Sequence, residues 1–295
     1  MLKVKVPATS ANLGPGFDNV GMALKLYNEF YFVEKRNALI PNEAKMLGKN
    51  SLCHQAINNL SKITSVRAPE MEIYIKPNIP KARGLGSSAT LTVAGLAAGN
   101  ELLDTKISID ELLSIATDLE GHPDNVVPAF LGGLAICILS GGKIRYLKFM
   151  PKEHLKVVVA VPDFELKTSM SRKVLPEEVR HRDAAQNTGR FGLFVAAILT
   201  GKYEHLSFAM EDLLHQPYRM QLVPGMKNVM DAALRSGAHG SCLSGAGPAI
   251  LALCSKDAEI VGDSMKVAWD IFGLKSKIYI LDIEKNGVCV SPESP

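Results

Sequence analysis

Pro80-Lys81-Ala82-Arg83-Gly84-Leu85-Gly86-Ser87-Ser88-Ala89-Thr90 is a glycine- and serine-rich loop that runs straight into a small-residue segment. Its composition is that of a phosphate cradle. Gly84 and Gly86 admit backbone angles closed to other residues and let the main chain approach a ligand, while Ser87 and Ser88 are suited to capping a following helix. The first turn of that helix offers free N–H groups and the positive end of a dipole to an anion. The loop has neither the Gly-Lys-Ser/Thr ending of a Walker A sequence nor the spacing Gly-x-Gly-x-x-Gly, so a nucleotide here would be held in a third way. Read alone, the same residues also describe a tight turn and a capped helix.

Further polar groups sit in ordered loops. Pro7-Ala8-Thr9-Ser10-Ala11-Asn12-Leu13-Gly14-Pro15-Gly16-Phe17-Asp18 sets Asn12 and Asp18 at the shoulders of a Gly-Pro-Gly turn. An amide and a carboxylate there suit an ammonium or a hydroxyl, or else Asx turns with the loop's own backbone. Glu120-Gly121-His122-Pro123-Asp124-Asn125 crowds polar groups at a helix end just before an apolar run. Glu120 is a candidate Mg²⁺ ligand beside nucleotide phosphates, with Ser88 able to supply a second oxygen. His122, with no second histidine or cysteine at ligand spacing, reads as a structural histidine. Residues 237–250 form another glycine- and serine-rich loop, fit to lie against a backbone or a phosphate. Arg190 and Arg219 complete the set: two guanidinium groups converging on one point would hold a carboxylate, whereas each singly fits a surface ion pair.

These groups need strands and helices to position them. Residues 2–6 and 26–33 read as strands around a loop at 7–17, residues 51–60 as a helix, and residues 71–76 as the strand ahead of the phosphate loop. Helices follow at 88–103, rich enough in Ala and Gly for close packing, and from Ser108 or Asp110 to Leu119. Residues 132–138 and 143–149 read as strands. Met150-Pro151-Lys152-Glu153, ahead of an apolar strand at 155–161, divides the chain into residues 1–152 and 153–295. The second part has helices at 184–199, 207–214 and 226–236 and strands at 249–254 and 277–283, an α+β arrangement. The tail at 291–295 reads as disordered, and no internal repeat is visible.

At 295 residues the chain fits two modest domains. A net charge of +3 without a Lys/Arg run excludes the usual footprint of nucleic-acid binding. Five scattered cysteines with no Cys-x-x-Cys pair read as reduced thiols rather than a zinc site. The N-terminus lacks an apolar signal core, and the longest apolar run, residues 126–139, is broken by Pro128 and two glycines and is too short to span a bilayer. No membrane partner and a cytoplasmic location are therefore expected.

Taken in order, the motifs at 7–18, 80–89, 120–125 and 240–248 resemble those of the GHMP kinases, and the likeness extends over residues 3–281. The Gly-Leu-Gly-Ser-Ser loop is shared across that superfamily. The first motif with Asn12 and Asp18, together with Arg190 and Arg219, is similar to its homoserine-phosphorylating branch. The resemblance implies an α+β, two-domain GHMP kinase fold, with an N-terminal domain like ribosomal protein S5 domain 2, a ferredoxin-like C-terminal domain, and ATP with Mg²⁺ between them. It implies transfer of phosphate from ATP to the side-chain hydroxyl of L-homoserine, a step toward threonine. Pro80 to Thr90 would wrap the triphosphate, and Ser88 with Glu120 would hold Mg²⁺, Asp118 being the alternative carboxylate. Asn12, Asp18, Asp124 and Asn125 would surround the amine and hydroxyl, Arg190 and Arg219 would clamp the carboxylate, and residues 240–247 would close the site. Asp124 lacks an evident lysine partner, so Asn125 is expected to orient a hydroxyl whose proton leaves late, to the phosphoryl group. Two other readings stay open: a GHMP kinase for mevalonate or a sugar, and a nucleotide-binding regulator without catalysis. A small-molecule substrate is the expected partner, and a homodimer is left open.

Overall fold

The computed structural model describes residues 1–34 and 40–292. β1 (Leu2–Ala11) and β2 (Val20–Val33) form the longest antiparallel ladder, which slips between Pro7 and Ala8, where Pro7 has no N–H to donate. β1 therefore runs well into the segment expected to be a loop, and the loop proper begins at Asn12. β3 (Lys45–Met46) and β4 (Glu72–Lys76) extend the sheet on the far side of β2.

α1 (Leu52–Thr64), α2 (Ser87–Leu102), α3 (Ile109–Glu120) and α4 (Pro123–Leu131) pack with the strands around one apolar core that includes Val4, Phe30, Leu60, Val93 and Leu113. The small residues of α2 serve the close approach anticipated for them: a Cβ on Gly95 would lie 2.3 Å from the Cys53 carbonyl oxygen of α1. Two local expectations change. The N-cap of α2 is Gly86 in the left-handed region, with no side-chain cap, so Ser87 and Ser88 are the first helical residues rather than caps. Residues 123–131, read as a helix end running into a strand, form α4, opened by Pro123 in its first turn and containing Pro128. A first-turn proline is compatible with a helix, and the missing N–H of Pro128 falls opposite the Asp124 carbonyl. Gly21 packs on that oxygen, where a Cβ would lie 1.8 Å away. The next strand is displaced accordingly, to β5 (Leu134–Ser140), which pairs with β2 and with β6 (Lys143–Phe149).

The second half begins with β7 (Lys156–Pro162), followed by α5 (Thr168–Lys173) and α6 (His181–Thr200). The helix expected at 207–214 is a single turn, α7 (Leu206–Ala209). The Asp212 carboxylate stops it, taking the N–H groups of Leu214, His215 and Gln216 and turning the chain into α8 (Gln216–Arg219). After α9 (Met226–Arg235) comes β8 (Gly240–Leu243), a strand inside the segment read as a loop. β9 (Ile250–Cys254), α10 (Ala258–Asp270) and β10 (Ser276–Leu281) complete an antiparallel sheet of order β10-β7-β9-β8 with α9 and α10 against it. β11 (Cys289–Pro292) crosses back to pair with residues 2–5 of β1. Ser291 and Pro292, expected in a disordered tail, are thus in a strand, and the rest of that tail, 293–295, lies outside the described residues.

One core joins the two halves, with Leu13 from the loop after β1 and Met22 and Leu24 of β2 against Val157, Val159 and Phe194 from the second half. Ile79 and Leu85 belong to that core and also line the large cleft described next. Among the described residues, no helix is long and apolar enough to cross a membrane.

Candidate active site

A cleft of about 740 Å³ is lined from both halves: by the loop after β1, the phosphate loop and start of α2, the α3–α4 corner, α5, Arg219 of α8 and residues 245–247. The phosphate loop is held against both halves. Thr9 donates its N–H to the Leu85 carbonyl (3.2 Å), the Ser244 hydroxyl donates to the Gly84 carbonyl (2.6 Å), and Arg83 donates to the carbonyls of Pro162 and Asp163. Gly84 and Gly86 have φ of +78° and +64°, and a Cβ on them would lie 2.1 Å from the Ser244 carbonyl oxygen and 1.9 Å from Thr9 Oγ1. Only glycine fits either position. Because Gly86 has no side chain to cap α2, the first N–H groups of that helix are left for an anion.

Beside this cradle, Glu120 at the end of α3 reaches back to α2. Its Oε1 accepts from Thr92 Oγ1 at 2.5 Å and from Ser88 Oγ at 3.4 Å. A carboxylate held by one hydroxyl and facing a second one, next to a phosphate cradle, fits the hard oxygen donors of Mg²⁺. Asp118 is exposed and is not among the residues lining the cleft.

The α3–α4 corner fixes the next two groups. Asp124 is 2% exposed, and its Oδ1 lies 2.5 Å from His122 Nδ1 and accepts from Asn125 Nδ2 at 3.2 Å. Asn125 Oδ1 accepts from Thr9 Oγ1 at 2.7 Å, which settles which end of the amide faces which neighbour. Burial opposes a charge on His122, but its hydrogen bond to Asp124 and the charge of Asp124 outweigh it and hold the imidazole pKa above the ordinary histidine value.

In the loop after β1, Asn12 has φ of +69° and acts as a staple. Its Oδ1 accepts the Asp18 N–H at 3.0 Å and its Nδ2 donates to the Gly245 carbonyl at 3.0 Å. Asp18 presents its carboxylate to Arg172 of α5, through Nη1–Oδ2 at 3.0 Å and Nη2–Oδ1 at 2.7 Å. Arg172 was not among the residues singled out from the sequence. No local motif marks it, and only the packing of α5 against the loop reveals it.

The two arginines singled out from the sequence are not brought together at the cleft. Arg219 lines the cleft, but Arg190 does not: it lies near α7, its Nη2 2.6 Å from Glu211 Oε2 and its guanidinium over the Phe208 ring at 4.9 Å. Arg172 lines the cleft beside Arg219, and the Phe17 ring lies 5.5 Å from the Arg172 guanidinium and 5.2 Å from that of Arg219. Arg219 is 2% exposed and donates to the carbonyls of Ser171 (3.2 Å) and Gly245 (3.0 Å). Burial first, and then the charge of Arg172, push its pKa down to about 10, so it stays cationic at neutral pH.

Comparison with known proteins gives the family. The model of the GHMP kinases N terminal domain matches residues 51–133, and that of the GHMP kinases C terminal domain matches residues 194–270. Homoserine kinase of Carboxydothermus hydrogenoformans is 42% identical over 293 residues, covering 97% of this chain and 96% of that one. The chain belongs to the homoserine kinase family of the GHMP kinases. Homoserine kinase of Clostridium beijerinckii is 40% identical, with 98% of each chain covered. The crystal structure of homoserine kinase from Cytophaga hutchinsonii superposes with a TM-score of 0.84 at 28% identity, covering 98% of this chain and 97% of that one. The crystal structure of L. major mevalonate kinase in complex with R-mevalonate, at 17% identity and a TM-score of 0.71 over 96% of each chain, shares the fold alone. The family's two-domain fold, expected from the four motifs, is the fold described above.

Proposed function

We propose that this chain transfers the γ-phosphoryl group of ATP to the side-chain hydroxyl of L-homoserine, giving O-phospho-L-homoserine on the way to threonine. The observation that carries the reading is Arg219. It is a buried cation at the cleft with no carboxylate within ion-pair distance among the described residues. Such a charge is expensive to keep unless a ligand uses it, and a guanidinium is the group that takes a carboxylate with two parallel bonds. Arg172 and Asp18 beside it supply one positive and one negative group. An α-amino acid laid across that pair would meet Asp18 with its ammonium and the two arginines with its carboxylate. Mevalonate offers no ammonium to Asp18, and a neutral sugar offers neither charge.

The acceptor's hydroxyl then falls to Asp124 and Asn125. Both internal donors to Asp124 use Oδ1, which leaves Oδ2 for the hydroxyl. A carboxylate whose Oδ1 is already engaged by His122 and Asn125 is a weak base, which supports late loss of the proton. The hydroxyl oxygen attacks the γ-phosphorus, the bond to the β–γ bridging oxygen breaks with its electron pair leaving on ADP, and the hydroxyl proton ends on the transferred phosphate. The phosphate loop and the first turn of α2 would hold the triphosphate. Glu120 and Ser88 would hold Mg²⁺, which when bound neutralises charge on the phosphates. Catalysis on this reading is mainly positioning and charge compensation by groups already in place.

ADP release with ATP and Mg²⁺ against L-homoserine, mevalonate, galactose and L-threonine tests it. Turnover with L-homoserine alone is expected. Equal or better turnover with mevalonate or galactose would assign the arginines to a different acceptor.

A further inference from the structure

His215 has no exposed surface and sits where the acceptor end of the cleft is assembled. Its Nε2 lies 2.8 Å from the Gly14 carbonyl oxygen and its Nδ1 lies 3.2 Å from Arg219 Nη1. Its ring stacks on Phe17 at 5.3 Å with 29° between the planes. A carbonyl oxygen can only accept and a guanidinium can only donate. One form of the ring satisfies both at once: neutral, with the proton on Nε2 and the Nδ1 lone pair facing Arg219. The other neutral tautomer sets a lone pair against the carbonyl and N–H against N–H. The imidazolium sets a proton and a second positive charge against Arg219.

We propose that neutral His215 is a positioning residue, holding the Arg219 guanidinium in register with the loop that carries Phe17 and Asp18, and thereby setting affinity for the charged end of the acceptor. This rests on the homoserine reading above. The charged groups around the ring bear on its protonation in opposite senses. Burial and Arg219 on α8 disfavour the cation, while Asp212, whose Oδ2 is 3.6 Å from Nε2, the Gly14 carbonyl and Asp18 favour it. The net shift is downward, so the ring is neutral at neutral pH, and acceptor affinity is lost only when acid protonates it.

Two variants test the role in the full-length enzyme. His215→Phe keeps the stack on Phe17 and removes both polar contacts, and His215→Gln offers a carbonyl to Arg219 and an amide N–H to Gly14. For His215→Phe the KM for L-homoserine should rise about 10- to 100-fold, the range expected for loss of a contact to a buried charged group, with KM for ATP within about twofold and kcat within about threefold. His215→Gln should recover most of the loss. A rise shared equally by both substrates, or no rise at all, would overturn the proposal. Nitrogen NMR of the wild-type ring is the second measurement and stands even if a variant does not fold. A neutral Nε2–H tautomer at neutral pH is expected, and an Nδ1–H ring or an imidazolium would overturn the assignment. The spectrum does not depend on the acceptor, so an Nε2–H ring in an enzyme that ignores homoserine would count against the substrate and not against the geometry of His215.

Discussion

Arg172 and Asp18 meet across 154 residues of sequence in a two-pronged ion pair, Nη1 3.0 Å from Oδ2 and Nη2 2.7 Å from Oδ1. The pair joins α5 of the second half to the loop after β1, so this end of the cleft exists only when both halves are in place. Both side chains keep about a third of their surface exposed (37% and 33%), which limits what the pair adds to stability to about 0–1 kcal/mol. Its consequence is therefore expected in ligand binding.

Arg172→Lys should raise the KM for L-homoserine about 10- to 100-fold while moving the KM for ATP by less than about twofold, because an ammonium cannot reproduce the planar fork. Arg190→Lys, in the residue that pairs with Glu211 outside the cleft, should leave both constants within about twofold. Steady-state kinetics of the two variants side by side decide which arginine partners Arg219. A large effect confined to Arg190→Lys would restore the assignment read from the sequence.

Glu120→Gln should weaken Mg²⁺ activation at least about 10-fold, and Thr92→Val, which removes the 2.5 Å hydrogen bond orienting Glu120, about 10-fold. Asp118→Asn, at an exposed position, should do nothing measurable. Titration of ADP release against Mg²⁺ at saturating ATP reads all three. Normal Mg²⁺ dependence in Glu120→Gln would remove that residue from the metal.

Asn125→Ala should lower kcat about 100-fold with little change in either KM, as befits an amide that orients the attacking hydroxyl. Its Oδ1 is anchored by Thr9 at 2.7 Å, so Thr9→Val should show a weaker form of the same defect. Wild-type kcat in Asn125→Ala would refute the orienting role.

The His122–Asp124 pair makes stability depend on pH in a definite sense. The folded-state pKa of His122 lies above its unfolded value, so the pair's contribution is fully present below about pH 6.5 and is lost as pH rises through the folded pKa. Chemical denaturation across mildly acid to mildly alkaline pH should show wild-type stability falling over this window and His122→Gln stability falling less. Parallel curves for the two proteins would mean that His122 carries no such linkage.

What lay within a few residues could be read before the fold was known. Gly84, Gly86 and the serines announced an anion cradle because phosphate binding there uses backbone N–H groups and glycine torsions, which are local properties. Glu120, Asp124 and Asn125 were singled out for the same reason, since all sit on one short corner, and all three line the cleft. Even so, the locally plausible cap failed at Ser87 and Ser88. Gly86 takes that place because its φ is left-handed and Thr9 leaves no room for a Cβ. The prolines at 123 and 128 hid a helix, since one falls where a helix needs no N–H and the other sits inside it. The acceptor end was beyond local reading altogether. Arg172 and Arg190 are alike as residues on helices of the second half, and nothing near either one says which faces the cleft. That was decided by where α5 and α6 pack, with Arg172 brought against Asp18 and Arg190 against Glu211 and Phe208. Sequence alone determined the kind of chemistry, because a phosphate loop is written in consecutive residues. The tertiary structure decided which charges face the cleft, because a guanidinium's partner depends on contacts between segments far apart in the chain.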